Sequence, residues 1–91
     1  MQADVFPSRA DLFLAAVGEQ VLTYRETAGL SVAGLAEMAG LSAPELEQFE
    51  HGWLDLPLTT LQAIADGLGT TVADLLDVGG SELGLSLARR L

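Results

Sequence analysis

Ala36 and Gly40 stand four residues apart between two short apolar-patterned segments, and this spacing restricts the fold more than any other feature of the chain. Val32, Leu35, Ala36 and Ala39 recur at helical intervals behind Ser31, an N-cap candidate. Ser42-Ala43-Pro44-Glu45 then opens a second segment in capping-box order. The serine oxygen can accept a backbone N–H, Glu45 can reach back, and Pro44 is tolerated in a first turn. Leu46 and Phe49 follow at inward spacing. A small side chain at position 36 lets two helices approach where they cross, and Gly40 suits a turn that needs positive φ. The expectation is two short helices, over 32–39 and 43–51, joined by a glycine turn as a helix-turn-helix.

Helical signals continue on both sides, and no strand alternation competes with them. Ser8-Arg9-Ala10-Asp11 after Pro7 looks like a helix start, with Asp11 favourable in the first turn. Phe13, Val17, Val21 and Tyr24 recur on that helix to about Thr27, where Gly29 can supply a left-handed stop. A turn through Asp55 and Pro57 leads to a fourth helix with Leu58, Leu61, Ile64, Ala65 and Leu68 as its apolar side, ended by Gly69. Thr71 caps a short fifth helix with Val72, Leu75 and Leu76. Gly79-Gly80 reads as a hinge before a candidate tail helix over 81–91 that carries Leu83, Leu87 and Leu91. The expected fold is therefore all-α, with five helices, an extended first helix and a C-terminal helix. The domain spans 1–78 with its core over 17–77, and residues 79–91 form hinge and tail. The expected core is Val17, Val21, Leu35, Ala36, Leu46, Phe49, Leu61, Ile64, Leu68 and Leu75.

These residues, with flanking runs, resemble the Cro/repressor (XRE) family. Gly18-Glu19 and Arg25-Glu26 lie in helix one, and Gly29-Leu30-Ser31 precedes helix two. Leu35-Ala36 and Ala39-Gly40-Leu41-Ser42 surround the turn, Glu50-x-Gly52 follows, and Leu61-x-x-Ile64-Ala65-x-x-Leu68-Gly69 completes the pattern. The resemblance covers about sixty residues without a gap and implies a lambda-repressor-like DNA-binding domain. It implies that helix three enters the major groove and reads bases with its early exposed residues. The matching positions here are Ala43, Pro44, Glu45, Glu47 and Gln48, of which only Gln48 keeps a useful amide. Val32 stands where the family tends to place a phosphate-touching Gln, and His51, Trp53 and Asp55 stand where basic residues are common. The resemblance also implies a structural ion pair between Arg25 and Glu50. Trp53, beside Leu54 and Leu56, is either packed over helix four or an exposed anchor.

Charge bears on what this helix recognises. Thirteen Asp and Glu face four arginines, Arg9, Arg25, Arg89 and Arg90, and there is no lysine. From Glu26 to Ala88 the chain has ten acids and no Arg or Lys. Such a balance repels phosphate and anionic membranes and attracts basic partners. Cysteine is absent, so disulfides and thiolate metal sites are ruled out. No apolar run reaches the ~20 residues that span a bilayer, and the N-terminus lacks a basic region. A cytoplasmic protein is the default expectation. One histidine and no nucleophile-elbow or metal-ligand spacing point away from catalysis, and no cofactor or metal is expected.

Two functional readings follow. In the first, a non-enzymatic regulatory protein uses its acidic recognition face to bind a protein, either a basic nucleic-acid-binding protein engaged by DNA mimicry or another regulator. The alternative is a homodimeric, sequence-specific DNA-binding repressor, aided by Arg9 or the Arg89-Arg90 tail. The tail stripe is too short to stand alone, since isolated helices below ~12–15 residues are marginal in water. It is expected to dock on its own domain or on a second copy, with a dimer preferred.

Overall fold

The computed structural model describes residues 8–78, and every regular element among them is an α-helix. These are α1 (Arg9–Thr27), α2 (Val32–Ala39), α3 (Ala43–Glu50), α4 (Leu58–Leu68) and α5 (Val72–Leu75). The expected hinge at Gly79-Gly80, the tail helix over 81–91 and the Arg89-Arg90 pair lie outside the described residues.

Each helix forms where local chemistry favours it. Ser8 accepts the Asp11 N–H at 3.0 Å, while the Asp11 carboxylate accepts the Ser8 N–H at 3.0 Å. This reciprocal cap starts α1, and Asp11 in its first turn with Arg25 in its last complements the helix dipole. Ser31, Ser42 and Thr71 cap α2, α3 and α5 through their hydroxyls. α4 starts at Pro57 with no side-chain cap. At the C-terminus of α2, Gly40 takes φ +74°, the Leu41 N–H donates to the Ala36 carbonyl at 2.8 Å, and the Gly40 N–H donates to the Glu37 carbonyl at 3.3 Å. This Schellman closure needs a residue without a β-carbon penalty in the left-handed region, which is why the glycine stands there. α3 ends the same way at Gly52, one residue earlier than the sequence suggests, so that His51 is a cap rather than a helical residue.

α2 packs against both α3 and α4, α1 crosses α3, and α5 closes the bundle against α4 and α1. The core they share is Val17, Val21, Leu35, Ala36, Leu46, Phe49, Leu61, Ile64, Ala65, Leu75 and Val78. Burying each of its larger side chains is worth ~1.5–3 kcal/mol relative to exposure. Nine of the ten expected core residues are buried, and Leu68, the last residue of α4, is only half-buried.

Two apolar residues depart from the sequence reading. Phe13, in helical register with the core residues Val17 and Val21, is 49% exposed and borders an open groove. Leu58, expected on the apolar side of α4, is the first residue of that helix and is 64% exposed. Val78, one residue beyond the expected core boundary, is buried. Among the described residues, no helix is long and apolar enough to cross a membrane.

Candidate functional site

The helix-turn-helix presents one face of α3 to solvent. Leu46, Phe49 and Glu50 point inward, and Pro44, Glu45, Glu47, Gln48 and His51 are exposed, with Ala43 half-buried. Of the predicted recognition residues, Pro44, Glu47, Gln48 and His51 recur at i, i+3, i+4 and i+7 and so share one side of the helix.

Their chemistry is not uniform. Glu45 is held by the capping box: its Oε1 accepts the Ser42 N–H at 2.8 Å while its own N–H donates to the Ser42 hydroxyl at 3.2 Å. That bond turns the carboxylate toward the helix start. Glu47 and Gln48 are the exposed polar side chains of the middle of α3. The His51 Nδ1–H donates to the Glu47 carbonyl at 2.8 Å, since a carbonyl can only accept. The His51 ring stacks on Trp53, with centroids 4.9 Å apart and planes 26° from parallel. Trp53 is 75% exposed, so of the two placements open from sequence it takes the exposed one, while Leu56 packs against the core. Its backbone N–H donates to the Gln48 carbonyl at 2.8 Å as part of the α3 stop.

Flanking positions add no cation. Val32 at the start of α2 is half-buried against the core, and its side chain offers no donor. Asp55 is exposed and accepts the Leu56 N–H at 2.8 Å through its own Oδ1. Glu37 on α2 is exposed as well.

The one cation inside the helix-turn-helix framework is committed elsewhere. Arg25 Nε donates to Glu50 Oε2 at 2.7 Å, Nη2 to Glu50 Oε1 at 3.1 Å, and Nη1 to the Leu30 carbonyl at 3.0 Å. This bidentate pair ties α1 to α3 and pins the loop before α2. Arg25 is 9% exposed and Glu50 6%. Hydrogen bonding to Glu50 is the main cause that raises the Arg25 pKa above its ordinary value, with burial acting against it. Among the described residues this leaves Arg9, at the exposed start of α1, as the other arginine.

Sequence reasoning missed two features. The crossing of α1 and α3 rests on Gly18, whose place in the helix gave no cue beyond the family-like Gly18-Glu19 pair. Phe13 and Trp53 line a common groove, a relationship between residues forty positions apart that no local pattern carries. Among the described residues no group of three or more His, Asp or Glu is placed to hold a metal ion.

Comparison with known proteins places this geometry. A family model described as a helix-turn-helix domain matches residues 16–78. The clp gene regulator ClgR from Corynebacterium glutamicum has the same fold. One crystal structure of it gives a TM-score of 0.76 at 26% identity, over 86% of this chain and 83% of that one. A second gives 0.71 at 28% identity, over 76% and 90%. A transcriptional regulator of the HTH_3 family from Vibrio cholerae gives 0.69 at 27% identity, over 82% of this chain and 40% of that longer one. No protein of curated function matches in sequence. With more than half its length under the family model and this fold shared with transcriptional regulators, the chain belongs to the helix-turn-helix domain family, in its Cro/XRE-like form.

Proposed function

We propose that this helix-turn-helix protein is a non-enzymatic regulator whose α3 face binds a basic protein surface, such as the nucleic-acid-binding face of another protein, rather than DNA. The observation that carries the reading is the charge of that face. Glu47 is exposed in the middle of α3, Glu37 on α2 and Asp55 in the loop after α3 are exposed acids as well, and Arg25 is bound to Glu50. DNA-binding proteins draw much of their affinity from several Lys or Arg contacts to phosphate. A carboxylate 4 Å from a phosphate is instead repelled, by ~1 kcal/mol in bulk water and ~4 kcal/mol at an effective dielectric near 20.

A second reading has its own support. The similarity to a clp gene regulator and the engagement of the Glu45 carboxylate in the helix cap favour a homodimeric DNA-binding repressor that reads bases with Gln48. One binding experiment separates the two. Rounds of selection on a random duplex DNA pool at low salt should enrich no sequence. Recovery of a single site bound in the nanomolar range and footprinted against α3 would replace the first reading with the second.

A further inference from the structure

A groove of about 570 Å³ opens between the first turns of α1, the loop after α3 and the end of α5. Its floor belongs to the core, where Val17, Phe49 and Leu61 are buried. Its rim does not: Phe13 is 49% exposed and Trp53 75%, so two large aromatic side chains border one opening. Exposed apolar surface gathered in this way marks a binding face. Glu47 and Gln48 do not line it, so it is a second surface beside the exposed side of α3.

The polar part of the lining is acidic. Asp11 and Asp55 supply carboxylates, and among the described residues no Arg or Lys lines the groove. Asp11 accepts the Ser8 N–H through Oδ2 and Asp55 accepts the Leu56 N–H through Oδ1, so each keeps a second carboxylate oxygen. Among the described residues the only salt bridge is Arg25–Glu50, so neither aspartate has a described cation against it.

This lining discriminates among occupants. A neutral apolar group would desolvate both carboxylates without giving them a partner, which is costly. Nucleic acid or an acidic peptide would meet them with like charge. A second copy of the chain would bring another net charge of −9 toward the same two carboxylates. A small molecule needs walls that bury most of its surface, whereas here the two aromatic side chains of the rim lie largely open to solvent. A polypeptide segment that joins apolar side chains to positive charge meets the whole lining at once. Arginine suits it better than lysine, because the planar guanidinium is weakly hydrated, stacks on aromatic rings and pairs with carboxylates.

We infer that this groove docks an arginine-bearing apolar segment of a partner protein, with its apolar side chains against Phe13 and Leu14 and its guanidinium at Trp53, Asp11 and Asp55. The inference does not depend on what α3 recognises. Trp53 also stacks on His51, the C-cap of α3, so a docked segment borders the α3 face.

Trp53 is the only tryptophan of the chain, so its fluorescence reports on the groove directly. The probe is a synthetic amphipathic helical peptide without tryptophan, with leucine along one face and a pair of arginines beside it. Added to the full-length protein, it should shift Trp53 emission to the blue and protect it from acrylamide, with saturation. Citrulline in place of both arginines keeps their shape and removes their charge. It should weaken binding by about tenfold, the combined effect of an exposed ion pair and a cation–π contact. Serine in place of the leucines should abolish the shift. Asp11→Asn with Asp55→Asn should weaken binding as citrulline does, whereas Glu19→Gln with Asp66→Asn, which removes equal charge outside the lining, should not. The citrulline and serine arms use the unaltered protein, so they stand even if an aspartate variant folds poorly. Equal affinity for the arginine and citrulline peptides overturns the inference, as does equal weakening by the two variant pairs. Binding lost in Glu47→Gln but kept in the aspartate variant would assign the peptide to α3 and overturn it. Trp53 already protected without peptide would overturn it too, in favour of a second copy if the protection grows with protein concentration and of the chain itself if it does not.

Discussion

Gly18 of α1 sets its bare α-carbon against the last turn of α3, where a β-carbon would run into the Phe49 carbonyl oxygen and lie 2.9 Å from that of Glu50. Both obstacles are backbone, so no side chain can swing aside to make room. Gly18→Ala gains up to ~1 kcal/mol of helix propensity. Overpacking at a backbone contact costs ~1–3 kcal/mol or more, which outweighs the gain. The variant should therefore be less stable in urea unfolding. A variant as stable as the parent would mean that α1 and α3 do not cross at this residue.

The Arg25–Glu50 pair predicts a non-additive pattern. Arg25→Met leaves Glu50 buried without its partner, and Glu50→Leu leaves Arg25 in the same state, each at ~3–5 kcal/mol. The double replacement removes both charges and should cost less than either single change, with one loss remaining: the Leu30 carbonyl no longer receives Nη1. A double-mutant cycle on denaturant unfolding reads the coupling. Strict additivity would show that the pair contributes nothing as a unit.

How far the fold was legible follows from where its information sits. Caps and stops are local: Ser31, Ser42, Thr71, Gly40 and Gly69 mark helix ends within one or two residues because each satisfies backbone groups of its own turn. The inward residues of α2 and α3 were legible from period alone. Phe13 and Leu58 fit the period equally well, yet they are exposed, because periodicity says which side of a helix is apolar and not how far along the neighbouring element extends. The solvent-exposed positions of α3 were legible from the same period. The local bond that turns Glu45 away from the middle of that face followed from Ser42-x-x-Glu45, whereas the stacking of His51 on Trp53 depends on the path of the loop after Gly52.

Asp74 gives a pH prediction. Thr70 Oγ1 donates to its Oδ2 at 2.8 Å, and this bond, followed by that from Thr71, lowers its pKa below the usual 3.8. A carboxyl depressed on folding adds stability that is present above the unfolded value and is lost as pH falls through the folded one. Thr70→Val removes the largest cause. Its Asp74 carboxyl should titrate at higher pH by NMR, and its stability should approach that of the parent only once the medium is acid enough to protonate both. An unmoved Asp74 titration would remove Thr70 as the cause.

Glu47→Lys tests the recognition face itself. Glu47 is exposed in the middle of α3, does not take part in the capping box, and offers only its backbone carbonyl to His51, so the side chain can change without breaking these bonds. Its charge is the weakest of the favourable influences on Arg25, which makes the folding cost small, and Glu47→Gln controls for that part. If the face meets a basic protein, reversal of the charge should slow association more than it speeds dissociation, because charges at a rim act mainly through the on-rate. The same variant should acquire weak affinity for duplex DNA of any sequence, and that binding should fall steeply with added salt. If the face reads a DNA site, Glu47→Lys should instead change which sequence is preferred, with the parent already selective. Association rates across salt concentrations, measured alongside duplex binding for parent, Glu47→Gln and Glu47→Lys, therefore distinguish a general electrostatic effect from a change in base readout.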